Sequence, residues 1–229
     1  VANEIISYLE MCQREGANLQ RGMNFRLSGR HSVILMSQQK NAPYTDQIVD
    51  DGATLIYEGH DEPRRNDLPD PKQVDQPAVT KLGTLTDNGK FHQAAQEYKE
   101  HGTVPEHVRV YEKIKPGIWS YNGLFHLVDS WVEFDGQRQV FKFKLTAVED
   151  YSTLTEVNII SGDHPRIIPT AVKLEVWKRD KGQCVLCGST VDLHFDHIIP
   201  YSKGGTSLKA ENIQLLCAHH NLQKSDSII

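Results

Sequence analysis

Two short pairs of metal-ligating residues, Cys184-x-x-Cys187 and Cys217-x-x-His220, constrain this chain more than any other feature. Three thiolates and an imidazole in two close pairs, separated by an insert of ββα size, are the ligand set of a tetrahedral zinc ion. All four positions are filled by protein, so the expected zinc is structural and closed to substrate. Such sites contribute about 10–16 kcal/mol of apparent binding free energy, enough to hold a small domain together. His219 adjoins His220, but the C-x-x-H spacing favours His220 as the ligand and leaves His219 toward solvent or a binding partner. The chain has four cysteines, too few and too clustered for a disulfide scaffold. Metal-bound thiolates predict a reducing, cytoplasmic setting, and Cys12 reads as a small core residue.

The rest of the composition is permissive. At 229 residues the chain suffices for one large domain or two modest ones. A hydrophobic share of 38% and a charged share of 24% are those of an ordinary soluble globular protein. No apolar run approaches the length of a membrane span, and the first residues, VANEIISYLEMCQREG, lack the apolar segment of a signal peptide. No membrane partner is expected. The net charge of −5 argues against an indiscriminate nucleic-acid binder. The charge is uneven, however: residues 166–229 carry 8 Lys/Arg against 6 Asp/Glu, a sum of +2, and the remainder 17 against 24, a sum of −7. Phosphate affinity follows local cations, so an acidic chain still admits a DNA-binding groove.

Residues 3–20 read as an amphipathic helix with Ile5, Ile6, Leu9 and Cys12 on one face. Ser32–Ser37 and Ala53–Tyr57 read as strands, residues 60–80 as a long loop, and Phe91–Glu100 as a helix. Three strands follow at Val108–Ile114, Leu124–Val132 and Gln139–Leu145, punctuated by Pro116-Gly117 and Asp135-Gly136. Pro165 and Pro169 bracket a linker, and Ala171–Arg179 is helical.

Within the insert, Leu193, Phe195 and Ile198 mark the end of a strand. Asp196 and His197 then lie on opposite faces or at a turn, within reach of one phosphate. Residues 211–224 read as a helix after the turn at Gly204-Gly205. The run His194, Asp196, His197, Pro200, Gly204, Gly205, Asn212, Leu216, Cys217 resembles the HNH nuclease family pattern over residues 180–226. The resemblance implies a ββα-metal fold and a set of roles. His197 would be the general base that activates water, Asp196 a ligand of a catalytic Mg²⁺ or Mn²⁺, and Asn212 the brace of the loop behind His197. Asn221 stands where many relatives carry the final histidine, and its amide oxygen would be the second metal ligand, an H-N-N variant. His194 assists or packs. Lys224 contacts phosphate or is a solvated helix-end residue.

The N-terminal signals are Tyr44-Thr45-Asp46, Tyr57-Glu58-Gly59, Leu85-Thr86-x-Asn88-Gly89 and Trp119-x-Tyr121-x-Gly123. In order and spacing they resemble the SRA (YDG) domain over residues 20–147, with Glu58 departing from the usual aspartate. That family binds modified cytosine flipped out of a duplex. The resemblance implies a PUA-like curved β-barrel with flanking helices. It makes Tyr44 and Tyr57 the stacking rings, Asp46 the acceptor for the exocyclic amine, and Glu58 part of the pocket. The loop His60–Arg65, with Arg64-Arg65, enters a groove, holds a phosphate or is a solvated turn, and Trp119 and Trp131 read as core.

Together these readings predict an α+β chain: an SRA-like domain over 1–160 and an HNH domain over 161–229. The expected function is a modification-dependent (type IV-like) restriction endonuclease acting on duplex DNA with 5-methylcytosine or 5-hydroxymethylcytosine. It would need structural Zn²⁺ and catalytic Mg²⁺ or Mn²⁺, act as a homodimer for double-strand cuts, and cut at a distance set by the linker. The alternatives are an HNH nuclease without modification dependence and a catalytically inactive modified-base-binding module.

Overall fold

A computed structural model describes residues 2–27, 29–64, 70–148 and 166–224. Arg65, Pro165 and the expected 160/161 boundary lie outside the described residues. The elements run β1 (Glu4–Ser7), α1 (Tyr8–Glu15), β2 (Met23–Leu27), β3 (His31–Met36), β4 (Gln47–Val49), β5 (Thr54–Glu58), α2 (Asp87–His101), β6 (Glu106–Lys115), β7 (Ile118–Phe134), β8 (Gln139–Val148), α3 (Thr170–Arg179), β9 (Leu193–His197), β10 (Ile213–Cys217) and α4 (Ala218–Lys224). The fold is α+β.

All ten strands join one sheet. Its main path is β10-β9-β1-β7-β6-β3-β2, and a branch runs from β7 through β8 and β5 to β4. Only the β3–β6 pairing is parallel among the described strands. β7 pairs with β1 and β6 through its first half and with β8 through its second. The sheet curls, so Met23, Ile34, Leu55, Val108, Phe125 and Phe143 from six strands share one core with Phe91 of α2.

Two helical expectations are corrected. Residues 3–20 do not form one helix: Ile5 and Ile6 lie in β1, paired with Ser120 and Trp119 of β7. Ser7 starts the helix at Tyr8 because its hydroxyl accepts from the Glu10 amide while the Glu10 carboxylate accepts from the Ser7 amide. The β-branched pair upstream of that cap is taken by the sheet. Residues 211–224 are likewise divided: Ile213–Cys217 is β10, and the helix begins only at Ala218. Ile213, Leu215, Leu216 and Cys217 are all buried, and β10 completes an antiparallel pair with β9. The short strands β2 and β4 were not foreseen. β2 mixes polar with apolar residues, and β4 is three residues long.

The nuclease-like unit is built into the barrel-like one. β9 continues the sheet beside β1, with Glu4 opposite His194 and the Phe195 amide donating to the Asn3 carbonyl at 3.0 Å. Ile167 packs in the barrel core and its neighbour Ile168 in the core under α3. The described part of the expected linker is therefore packed structure. A buried ionic cluster closes the joint. Lys173 Nζ on α3 lies 2.6 Å from Glu112 Oε2 on β6 and 2.6 Å from Asn122 Oδ1 on β7, and Thr170 also donates to Glu112. Lys173 and Glu112 are both fully buried. Asn122 reaches the cluster because Val110 pairs with Gly123 and Tyr111 with Tyr121, which leaves Asn122 as a bulge residue turned inward.

Candidate functional site

Cys184, Cys187, Cys217 and His220 converge, with all four ligand atoms within 4.8 Å of one another. The Cys187 and Cys217 sulfurs are 3.9 Å apart, and His220 Nδ1 is 3.4 Å from Cys184 Sγ and 3.3 Å from Cys217 Sγ. Zn–S bonds of about 2.3 Å and Zn–N bonds of about 2.0 Å in a tetrahedron put sulfurs about 3.8 Å apart and sulfur about 3.5 Å from nitrogen. The donor set thus suits a structural zinc. His219 is exposed and outside the cluster. Burial works against the Cys184 thiolate, but the amides of Cys217, Leu186 and Cys187 outweigh it and bring the thiol down to about 6.

Beyond the cluster, β9 carries Asp196 and His197 at its end. His194 and Asp196 share one face of the strand by its two-residue period. Gln214, directly across in β10, donates to Asp196 Oδ2 at 3.1 Å, and Lys224 Nζ of α4 lies 3.2 Å from the same oxygen. Both donors fall on Oδ2. Burial raises the Asp196 pKa against the pull of Gln214 and Lys224. Lys224 is buried, not solvated, and also donates to the His197 carbonyl at 2.6 Å. Burial lowers the His197 pKa against the pull of Asp196, which keeps the imidazole neutral. Ser207 Oγ, fully buried, lies 2.9 Å from His197 Nε2.

The loop behind His197 is tied by Asn212. Its Oδ1 accepts from the Ile199 amide at 2.8 Å, and its Nδ2 donates to the carbonyls of Ile199 and Thr206, each at 3.1 Å. Gly205 is required by this closure: a Cβ there would stand 1.8 Å from the Ile199 carbonyl oxygen. His194 is buried, its pKa lowered by burial. Asn221 is half-buried on α4.

A second site lies in the barrel-like part. A cavity of about 220 Å³ is lined by Gly22, Leu35, Ser37, Tyr44, Asp46, His60 and Trp119, among others. Asp46 is buried, with Oδ1 accepting from the Glu58 amide and Oδ2 from the Ser37 amide, both at 3.1 Å. Burial pushes its carboxyl up to about 7, against the pull of these amides. Tyr44 stacks on His60 with centroids 4.8 Å apart and planes 8° from parallel, and Lys72 Nζ lies 4.3 Å from the centre of the Tyr44 ring. Tyr57 belongs to the core, and its hydroxyl, 2.8 Å from His60 Nε2, is its link to the pocket. Burial brings His60 down to about 4, so it is neutral near pH 7. Glu58 lies behind the wall: Oε2 accepts from Lys142 Nζ at 3.0 Å and from the Thr45 amide at 3.1 Å. Trp119 is half-buried, packed against the core cluster of Ile6, Met11 and Tyr111 while also lining the cavity, and Trp131 is half-buried.

Sequence reasoning did not single out Ser207, His60 or Ser37. A serine ten residues past a histidine carries no spacing signal of its own. The His60 ring is defined by its neighbours Tyr44 and Tyr57, which lie at different sequence distances. No helix among the described residues is long and apolar enough to cross a membrane.

Residues 184–227 match the HNH endonuclease family. Among solved structures, the chain is similar to the SUVH5 SRA domain in complex with hemi-methylated CG DNA, at 23% identity over 68% of this chain and 92% of that one, TM-score 0.43. The SUVH5 SRA domain bound to fully hydroxymethylated CG DNA is similar at 21% identity over 62% and 85%, TM-score 0.41. Arabidopsis thaliana SUVH6 in complex with SAM is similar at 18% identity over 75% and 28%, TM-score 0.43. No curated protein is a significant match.

Proposed function

We propose that this chain is a modification-dependent DNA endonuclease. Residues up to about 160 read 5-methylcytosine or 5-hydroxymethylcytosine in a duplex, and residues from about 161 hydrolyse a phosphodiester bond. The observation that carries the cutting half is Asp196 beside a half-buried, neutral His197, tied to Ser207, inside the segment that matches the HNH family. In this reading Ser207 accepts from Nε2–H, which leaves the Nδ1 lone pair to take a proton from water. The water oxygen then bonds to phosphorus, and the bond to the leaving oxygen breaks. Asp196 and Asn221 would hold Mg²⁺ or Mn²⁺, which would supply Lewis-acid stabilisation of the charge on the phosphate. Lys224 fixes the carboxylate and the His197 backbone together. The Cys184, Cys187, Cys217 and His220 set holds zinc and keeps α4 against β9. One such site cuts one strand, so a double-strand break draws on two copies, and a homodimer meets that need.

The reading half rests on the pocket and on the SRA-like order of motifs. Flipping a base costs a few kcal/mol, which stacking and edge contacts must offset. Asp46 accepts from the exocyclic amine, the donor that distinguishes cytosine from thymine. The Tyr44–His60 pair forms one aromatic wall and Trp119 another. Glu58 holds the Thr45 amide and so the Tyr44–Asp46 segment. The test is cleavage of three duplexes of one sequence, carrying cytosine, 5-methylcytosine or 5-hydroxymethylcytosine, each with Mg²⁺, Mn²⁺ or EDTA. Metal-dependent cutting confined to modified duplexes is the expected result. Equal cutting of all three would leave a nuclease without modification dependence, and no cutting with any metal would leave a binding module.

A further inference from the structure

The β4–β5 hairpin touches both sites. Its open end carries pocket groups: Asp46 just before β4 and Glu58 at the end of β5. Its tip is Asp50–Asp51–Gly52, about 13 Å away at the usual rise per strand residue. The body is held on both sides, with Leu55 opposite Ile48 of β4 and Leu145 of β8.

The tip is strained and gripped. Asp50, Asp51 and Gly52 have φ of 54°, 51° and 88°, left-handed values in succession. For the two aspartates this conformation is unfavourable, and such strain persists only where surroundings over-determine it. Here the surroundings are the chain entering the nuclease unit and the nuclease loop itself. The Ile167 amide donates to the Gly52 carbonyl at 2.8 Å, and Arg166 donates to the Asp50 carbonyl at 3.1 Å. The Arg166 guanidinium lies 3.7 Å from the centre of the Tyr201 ring. Thr206 Oγ1 donates to Asp51 Oδ1 at 3.3 Å. Gly52 admits no side chain, because a Cβ would stand 2.3 Å from the Ile167 carbonyl oxygen. Thr206 is the neighbour of Ser207, and its carbonyl is one of those bound by Asn212.

We propose that the hairpin tip positions the catalytic loop, with Asp51 acting through Thr206 and Ser207 on His197, and so sets the offset between base read and bond cut. This rests on the reading of the HNH segment as an active nuclease and of the pocket as the base-reading site. The offset is then a property of the hairpin and not of a tether. Asp51 is a positioning residue and touches no reacting atom.

The test compares Asp51→Gly with Asp51→Asn in the full chain. Glycine accepts the left-handed backbone but removes the carboxylate; asparagine tolerates it and keeps an acceptor for Thr206. The readouts are single-turnover nicking and binding of one 5-methylcytosine duplex with Mn²⁺, cut positions at nucleotide resolution, and melting temperature. Asp51→Gly should nick about tenfold more slowly, with a broader spread of cut positions, while binding and melting match wild type. Asp51→Asn should recover most of the rate and the narrow spread. Nicking by Asp51→Gly at the wild-type rate and positions would overturn the proposal, as would a parallel loss of binding and nicking. Wild-type protein that nicks no DNA, or nicks all duplexes alike, would instead overturn the corresponding half of the functional reading, a result distinct from any difference between the variants.

Discussion

The end that matches the HNH family and the pocket end of this molecule are built in different ways. At the first, Asp196, His197, Ser207, Asn212, Asn221 and Lys224 come from one stretch of strand, loop, strand and helix. Four Cys and His ligands close that stretch on itself. At the pocket end, Ser37, the Tyr44–Asp46 segment, His60 and Trp119 arrive from four parts of the chain and are held by a few hydrogen bonds and burial. A site closed by a metal fails as a unit when its ligands are removed. A site assembled from distant segments fails residue by residue, and changes there retune it before they destroy it.

The largest expected effect comes from that difference. Stripping zinc with a strong chelator, or Cys217→Ser, should unfold the nuclease unit. Zinc sites of this kind contribute about 10–16 kcal/mol, more than most whole domains have in stability. Thermal unfolding followed by tryptophan fluorescence should show an early transition restored by zinc. An unchanged melt would contradict the zinc assignment. Next, His197→Ala should slow nicking by about 10²- to 10⁴-fold, the usual share of a general base, with binding unchanged. Loss of binding in parallel would mean that the residue acts on the fold.

Lys173→Met probes the joint between the two ends. It leaves Glu112 buried without its cation, which costs about 3–5 kcal/mol when one partner of a buried pair is removed. One cooperative transition that shifts as a whole would show the two units folding together. An unshifted melt would break the claim that this pair holds them. A smaller effect is expected from pH. Asp46 has its pKa raised to about 7, so it is mostly protonated at pH 6 and mostly ionised at pH 8. The ionised form is the better acceptor for an exocyclic amine. Affinity for a 5-methylcytosine duplex should therefore rise between those values, by about tenfold if the acceptor must be ionised. A flat profile would remove Asp46 from recognition. The smallest effect belongs to Tyr57→Phe, which deletes one hydroxyl beside His60 and should cost about 1 kcal/mol of stability.

Legibility followed the same division. The ligand pairs and the residues from His194 to Asn212 stand close in sequence, and fixed short spacings carry the geometry with them. β6, β7 and β8 show in their alternation, β3 as a short apolar run, and β5 as a short run closed by Glu58-Gly59. β10 did not, because a five-residue buried strand followed at once by a helix has the apolar spacing of one longer helix. Ile5 and Ile6 were drawn into the same error from the other side, where a strand runs directly into a capped helix. Lys224 at a helix end reads as solvated until α4 is placed against β9. His60 and Ser207 acquire their meaning from neighbours brought in by the fold. The hairpin tip at Asp50–Gly52 looks like an ordinary acidic turn in sequence. Its left-handed backbone and its grip on residues 166–167 and 206 appear only in three dimensions.

The proposed separation of reading and cutting sites in one chain is tested most directly by measuring binding and nicking together. Wild type and His197→Ala would be compared on matched cytosine and 5-methylcytosine duplexes. Wild type should bind and nick the modified duplex in preference, and His197→Ala should bind it equally well and nick neither. Equal nicking of both duplexes by wild type, or undiminished nicking by His197→Ala, would contradict the division.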